Sequence, residues 1–141
     1  MTAAPGEHQT FWEALQELVG THPVKIDRPR GSEHPRYPDF VYPLDYGYLE
    51  ETISADGGGV DAWLGTRCQG ESQQALELTG LLFTVDLLKQ DIEAKLLLNC
   101  TLVEMQAALQ ASNTASMSAM LMLREANEPA MSEEADPGVL R

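Results

Sequence analysis

Apolar residues near the start of the chain recur with the period of a helix, and those that follow occur in short runs. From Phe11 to Leu18 the apolar positions are spaced i, i+4 and i+7, which is typical of one face of an amphipathic helix. Thr10 and Glu13 have the spacing of a capping box, so we place the start of the helix there. We expect the helix to end near Gly20, because glycine readily adopts the left-handed conformation that closes helices.

Five short apolar runs after this helix predict β-strands. They cover residues 24–27, 46–49, 60–64, 78–85 and 93–98. The last strand has a competitor, because Leu, Lys, Gln, Glu and Ala favour helix and a helix over 87–98 also fits the sequence. Most of the prolines lie within residues 23–43, which predicts extended backbone and turns between the first two strands.

A second helix is predicted after the last strand. Thr101 and Glu104 form another capping-box pattern, and the apolar residues from Leu102 to Leu109 share one helical face. Small polar residues at 112–116 interrupt this pattern. The spacing of apolar residues over 117–124 then predicts that the helix resumes.

Length and composition indicate a single globular domain of 141 residues, in which 43% hydrophobic residues suffice for a core. We place the domain at residues 10–125, between a disordered N-terminus over 1–9 and a disordered acidic tail over 126–141. Cys68 and Cys100 show neither metal-ligand nor redox spacing, and the N-terminus lacks the apolar segment of a secretory signal. We therefore expect a reduced, cytoplasmic protein.

The charge balance argues against two classes of partner. With 22 Asp and Glu against 9 Lys and Arg, the net charge is −13, which disfavours nucleic acid and anionic membranes because each phosphate contact needs a positive group. A nucleic-acid-binding barrel, which needs a basic groove, is disfavoured for the same reason. Four basic residues nevertheless cluster within 25–36: Lys25, Arg28, Arg30 and Arg36. A locally basic pocket for a small phosphate compound is compatible with this pattern.

An acidic, glycine-rich loop follows the cluster of bases and a tyrosine-rich block. Asp56 and Asp61 bracket Gly57–Gly59, and glycines let the backbone turn sharply so that carboxylates converge. Mg²⁺ takes oxygen ligands, usually a few carboxylates together with water and phosphate oxygens. Two aspartates alone are also typical of a solvated turn, but more acids lie near the next predicted turn: Asp86, Asp91 and Glu93. The candidate phosphate partners are Arg36 and Lys95.

The order of these residues, from Val24 to Lys95, resembles that of the soluble, magnesium-dependent inorganic pyrophosphatases. The most specific part is Tyr42–Leu49 (YPLDYGYL), which is similar to the family's Tyr-Pro-x-Asn-Tyr-Gly-Tyr-Ile. Arg36 followed by tyrosine precedes this block. The acidic loop, a Gly-x-Leu strand and an acid-x-Lys pattern at Glu93 and Lys95 follow it.

The resemblance implies an OB-like β-barrel of five strands, with helices outside and the site at the barrel mouth. It implies magnesium-dependent hydrolysis of pyrophosphate to phosphate, which is inorganic diphosphatase activity. The implied magnesium ligands are Asp56, Asp61, Asp86 and Glu93, with Asp91 the less favoured alternative to Glu93. The implied substrate-binding residues are Arg36, Tyr46 and Lys95, and the implied catalytic residues are Tyr46 and Asp61.

The chain departs from the family's pattern in its acidic loop. Gly58 stands where the family has the aspartate that activates water, and loss of a general base typically costs about 10² to 10⁴ in rate. Asp45 or Asp56 could replace that base. Between Tyr37 and Tyr42 the chain also lacks a hairpin that carries a phosphate-binding arginine in the family. The alternative is therefore a catalytically impaired relative that binds a phosphorylated metabolite or serves as a structural or regulatory subunit. Either function is compatible with a homo-oligomer.

Overall fold

The computed structural model describes residues 8–67 and 76–124. In chain order its elements are α1 (Phe11–Thr21), β1 (Val24–Arg28), β2 (Asp45–Leu49), β3 (Val60–Leu64), β4 (Leu78–Asp86), β5 (Asp91–Leu98), α2 (Leu102–Ser112) and β6 (Met117–Leu123). The prediction of a mainly β domain with two helices is confirmed. The expected disordered segments lie outside the described residues for 1–7 and 126–141, as does Cys68. No helix in the described part of the chain is long and apolar enough to cross a membrane.

The six strands form one sheet in the order β1-β2-β3-β5-β4-β6. Neighbouring strands are antiparallel, except that β3 and β5 run parallel. In this order β1 and β6 are the two edges, and no pairing joins them among the described residues. The sheet is therefore open by its hydrogen bonds, and closure into the expected five-stranded barrel is not shown.

Each face of the sheet is covered by one helix. On one face, Val19 and the apolar side of α1 pack on buried residues that include Leu49, Ala62, Leu81 and Leu96. On the other face, Met105 and Ala108 of α2 pack on a cluster that includes Tyr42, Leu44, Trp63, Leu82 and Leu97. Because successive side chains of a strand point to opposite faces, the same strands supply both clusters. We call the face that carries α2 and Tyr42 the α2 face.

Two capping boxes set the helix starts as predicted, at Thr10 and at Thr101. The predicted role of Gly20 is wrong: Gly20 lies inside α1, and the residue that ends the helix is His22, with an extended backbone (φ −134°). Residues 86–98 form a hairpin, since β4 and β5 pair antiparallel over their whole length. The competing helix over 87–98 is therefore excluded.

The predicted second half of the C-terminal helix is wrong, because residues 117–123 form strand β6. The chain leaves α2 through a tight turn in which Ala115 has a left-handed backbone (φ 52°). β6 then pairs antiparallel with β4. Ala119 and Leu121 pack on the α2 face while Met120 between them is exposed, which is the two-residue period of a strand. A short apolar run fits either period, and pairing with β4 decides between them here.

Gly47 in β2 allows β1 to approach closely. A methyl group on Gly47 would lie 1.8 Å from the carbonyl oxygen of Lys25, which is backbone and cannot rotate away. Gly47 thus fixes the contact between β1 and the strand that carries Tyr46 and Tyr48.

We expect Gly47→Ala to lower the free energy of unfolding by about 3 kcal/mol, because the methyl group must push β1 off the sheet. The matched control is Gly20→Ala, where a methyl group meets nothing within 4 Å. In helix α1 this control should raise the free energy of unfolding by about 0.5 kcal/mol. Urea unfolding monitored by circular dichroism measures both, and a Gly47→Ala variant as stable as the wild type would contradict the packing described.

Candidate functional site

A buried lysine forms the centre of the candidate site. The ammonium group of Lys95 donates hydrogen bonds to the hydroxyl of Tyr46 (2.9 Å), to Oδ2 of Asp61 (3.2 Å) and to Oε1 of Glu93 (2.7 Å). Only 9% of Lys95 is exposed. Since an ammonium group has three N–H donors, all of them are used. We call Lys95 and these three partners the Lys95 centre.

The sheet register brings the four residues together. Glu93 and Lys95 are two positions apart in β5, so their side chains lie on one face. β3 runs parallel to β5 with Ala62 opposite Leu96, which places Asp61 beside Lys95. Tyr46 of β2 lies opposite Trp63 of β3 and completes the group from the next strand. Three neighbouring strands therefore each contribute to the site on the α2 face.

Burial and neighbouring charges shift the pKa values of two members of the Lys95 centre. Burial raises the pKa of the Tyr46 hydroxyl well above its usual range, although the adjacent Lys95 acts in the opposite direction. Burial alone would lower the pKa of Lys95, but Tyr46, Asp61 and Glu93 together raise it above the usual lysine value. At neutral pH the site thus holds a fixed cation beside a neutral hydroxyl group.

Aromatic rings form the wall behind the Lys95 centre. The ring of Tyr46 lies 4.7 Å from Trp63 and 5.4 Å from Tyr42, measured between ring centroids. The indole N–H of Trp63 is buried and has no hydrogen-bond partner among the residues that the structure describes. This wall limits the orientations of Tyr46 and keeps its hydroxyl directed at Lys95.

Asp56 lies at the edge of the site, in the loop between β2 and β3. Its Oδ1 accepts hydrogen bonds from the Ser54 hydroxyl and from the backbone N–H of Gly58 (2.9 Å), and these bonds lower the pKa of its exposed carboxyl group. The acidic loop is therefore closed by its own hydrogen bonds, with Gly57 in the left-handed conformation (φ 89°) that the turn requires.

Asp86 has a different place, in the hairpin between β4 and β5. Its Oδ1 accepts hydrogen bonds from the Ser116 hydroxyl (2.7 Å) and from the backbone N–H groups of Leu88 and Lys89. The Ser116 hydroxyl is the main cause of the lowered pKa of Asp86. Asp91 lies opposite Asp86 and pairs with Lys89 at 3.9 Å. Both acids thus bind partners in or beside the turn, and within the described ranges no hydrogen bond or ion pair joins either of them to Lys95.

Arg36 also lies apart from the Lys95 centre, in the loop between β1 and β2. Its backbone N–H donates to Nδ1 of His34 (3.0 Å), and its side chain is exposed. The basic residue that instead reaches the aromatic wall is Arg28, which donates to the Tyr42 hydroxyl at 2.8 Å. Sequence reasoning named Arg28 only as one of four clustered bases. No signal in the sequence distinguishes Arg28, because its position opposite Tyr46 depends on the pairing of β1 with β2.

The described carboxylates do not form a preassembled metal cage. Across residues 8–67 and 76–124, no three His, Cys, Asp or Glu side chains are grouped so that they could hold a metal ion together. Asp61 and Glu93 nevertheless both direct an oxygen at one positive centre, the Lys95 ammonium group. Two such carboxylates suit a cation that completes its coordination with water and phosphate oxygens.

We expect Lys95→Met to lower the free energy of unfolding by about 2 kcal/mol, because Asp61 and Glu93 lose their shared counter-ion in a partly buried site. The raised pKa of Lys95 means that its contribution is complete at neutral pH and is lost only as the pH rises through its folded-state value. The loss should thus be the same from neutral pH to about pH 9.

The matched control for this prediction is Lys89→Met, which removes an exposed lysine 3.9 Å from Asp91 and should cost less than about 0.5 kcal/mol. Urea unfolding of both variants at two pH values provides the comparison. Equal losses for the two lysines would show that the Lys95 centre does not stabilise the sheet.

Comparison with known proteins shows which known fold this structure resembles. No protein-family model matches the sequence, and no curated protein matches it. Among solved structures, the inorganic pyrophosphatase from Neisseria gonorrhoeae is similar with a TM-score of 0.56 and 14% identity, over 82% of this chain and 88% of that one.

Two further inorganic pyrophosphatases are similar at a TM-score of 0.50. The one from Helicobacter pylori is 18% identical over 77% of this chain and 86% of its own. The one from Coxiella burnetii is 15% identical over 78% of this chain and 88% of its own. At these identities the likeness concerns the fold alone. The chain has an inorganic-pyrophosphatase-like fold.

Proposed function

We propose that this protein hydrolyses pyrophosphate to phosphate in a magnesium-dependent reaction at the Lys95 centre. The observation that carries the proposal is the convergence of Asp61 and Glu93 on one positive centre, beside the Tyr46 hydroxyl. The pyrophosphatase-like fold supports the choice of substrate. The protein is then an inorganic diphosphatase whose ligand is a small phosphate compound.

The donor set at the Lys95 centre fits magnesium in part. Asp61 and Glu93 are the residues that would hold the ion, and Mg²⁺ commonly takes one or two protein carboxylates together with water and substrate phosphate. Asp56 is the next candidate, because its exposed carboxyl group lies in the loop that leads into β3 and Asp61. Asp86 is left out of this set, since its carboxylate is committed to the hairpin turn. When bound, magnesium would neutralise phosphate charge and polarise the bond that breaks.

Lys95 would change partners when a ligand binds. All three of its N–H groups are used within the site, so contact with a phosphate requires one of these bonds to open. A cation held by Asp61 and Glu93 would compete with Lys95 for the same oxygens. Binding of the cation would therefore release the ammonium group for the substrate.

In the reaction, water attacks one phosphorus atom and the bond to the bridging oxygen breaks. The leaving phosphate takes the electron pair of that bond, and the proton of the attacking water passes to a carboxylate. Gly58 offers no carboxylate for this step. Asp61, which accepts a hydrogen bond from Lys95, is the acceptor we propose. A poorly placed base should lower the rate by about 10² to 10⁴ relative to a complete site.

A second candidate function is binding of a phosphorylated metabolite without turnover. Two observations favour it: Gly58 in the acidic loop, and the saturation of Lys95 by protein groups. Both features reduce catalysis more than they reduce binding. In this case the same residues would hold the phosphate groups, and the protein would act as a binding or regulatory subunit.

We expect purified protein to release phosphate from pyrophosphate in the presence of Mg²⁺. Asp61→Asn should reduce this activity at least 100-fold, because it removes a magnesium ligand and the proton acceptor together. The matched control is Glu17→Gln, which neutralises an acid of helix α1 on the opposite face of the sheet. Phosphate release measured colorimetrically gives the rates.

Calorimetry with pyrophosphate and Mg²⁺ separates the two candidate functions. Tight binding without phosphate release would favour the binding protein over the enzyme. Absence of both binding and turnover would contradict both functions. Equal activity in wild type and Asp61→Asn would place the chemistry elsewhere.

A further inference from the structure

The two edges of the sheet differ in how they are protected from pairing with another chain. At one edge, β1 is short and exposes the charged side chains of Lys25 and Asp27. Its pairing with β2 shifts register between Ile26 and Arg28, and a proline lies on either side of the strand. Charges, irregular pairing and prolines are the usual features that keep edge strands from associating. The β1 edge is therefore protected.

The other edge, β6, has none of these features. Its seven residues (MSAMLML) include no charge and no proline, and its pairing with β4 runs from Met117 to Leu123 without a shift in register. From Met105 to Leu123 the chain has no Asp, Glu, Lys or Arg, although 22% of the sequence is charged. Met120 and Met122 are exposed at 58% and 40%. The β6 edge is thus an uncharged, apolar surface on a protein of net charge −13.

Backbone groups along β6 alternate between the β4 side and the outer edge. Just beyond the strand, the backbone N–H of Arg124 donates to the carbonyl oxygen of Thr79 at 3.1 Å, so the even-numbered positions face β4. The odd-numbered positions therefore face outward. Two of these already have partners: Met117 bonds with the turn before it, and the N–H of Ala119 donates to the side chain of Asn113 at 2.8 Å.

Leu121 and Leu123 are the remaining outward positions of β6. Across residues 8–67 and 76–124, no hydrogen bond reaches the outward N–H and carbonyl groups of either residue. The two residues are separated by Met122 alone. An antiparallel strand satisfies such groups if its own free groups have the same spacing in the opposite direction. A second copy of β6 meets this requirement, because a two-fold axis at Met122 places Leu121 of each copy opposite Leu123 of the other.

We propose that two copies of this chain associate through β6, which pairs antiparallel with β6 of the second copy and joins the two sheets into one. Each of the two pairs of Leu121 with Leu123 exchanges two hydrogen bonds, and Met122 lies beside Met122 of the second copy. The charge pattern favours this occupant. A second copy is just as acidic, so repulsion between the two is least where neither presents a charged residue.

The contact between the two copies is small. It consists of the free part of one edge and the side chains beside it, which is less than the ~1,600 Å² that a standard stable interface buries. We therefore expect weak association, with a Kd on the order of 10 µM. Salt should strengthen it, because salt screens the repulsion between two acidic chains.

The test is sedimentation velocity of the full chain over a range of about 1 to 200 µM, in which we expect the wild type to change from monomer to dimer. Met122→Lys and Met122→Glu should each weaken the dimer about tenfold or more, because like charges then lie opposite each other across the axis. An equimolar mixture of the two variants should restore the dimer, since opposite charges then pair. Ile92→Lys is the matched control: Ile92 is exposed on the same sheet face, but β4 separates it from β6. This control should change the Kd by less than about twofold.

A wild type that stays monomeric up to about 200 µM would overturn the proposal. A dimer that the Met122 variants leave unchanged would overturn it as well, because such a dimer uses another surface. If both variants weaken the dimer and their mixture does not restore it, the pairing about Met122 is wrong. Circular dichroism shows whether each variant folds. If one does not, Leu123→Pro removes an outward N–H from an edge position that is 47% exposed, and it should weaken the dimer about tenfold or more.

Discussion

The structure depends on a single buried cation. The Lys95 ammonium group ties Tyr46, Asp61 and Glu93 together, so that β2, β3 and β5 each contribute to one polar group inside an otherwise apolar face. Burying this charge is tolerable only because all three of its N–H groups have partners. The same constraint applies to any ligand of the site, which must compete with the contacts that Lys95 already makes.

Much of the fold could be predicted from the sequence, because it is encoded locally. The capping boxes at Thr10 and Thr101 and the apolar runs of the first five strands need no knowledge of the rest of the chain. β6 could not be predicted in this way, since its apolar run fits two periods and its pairing with β4 is decided at long range. Whether the sheet closes depends on the two edge strands, so it cannot be predicted from local sequence patterns either.

The positions of the candidate site residues could be predicted where the spacing within one strand determines which face a side chain lies on. Glu93 and Lys95 share a face because they are two positions apart, and Asp61 follows from its place at the start of a strand. Asp86 and Arg28 show the limit of this reasoning. A carboxylate that follows a strand can accept hydrogen bonds in a turn as readily as it can bind a cation. For Asp86 the hydrogen bond from Ser116 favours the role in the turn, and Ser116 is distant in sequence. The anchoring of Arg28 on Tyr42 likewise spans a proline-rich loop.

The central claim is that Asp61 and Glu93 form a cation site which Lys95 fills in the absence of ligand. A crystal grown with Mn²⁺ and phosphate tests it most directly, through the anomalous signal of the metal. The account predicts an anomalous peak bound by the carboxylates of Asp61 and Glu93, with Lys95 turned to the phosphate. It is contradicted if no peak lies there and Lys95 keeps all three of its hydrogen bonds.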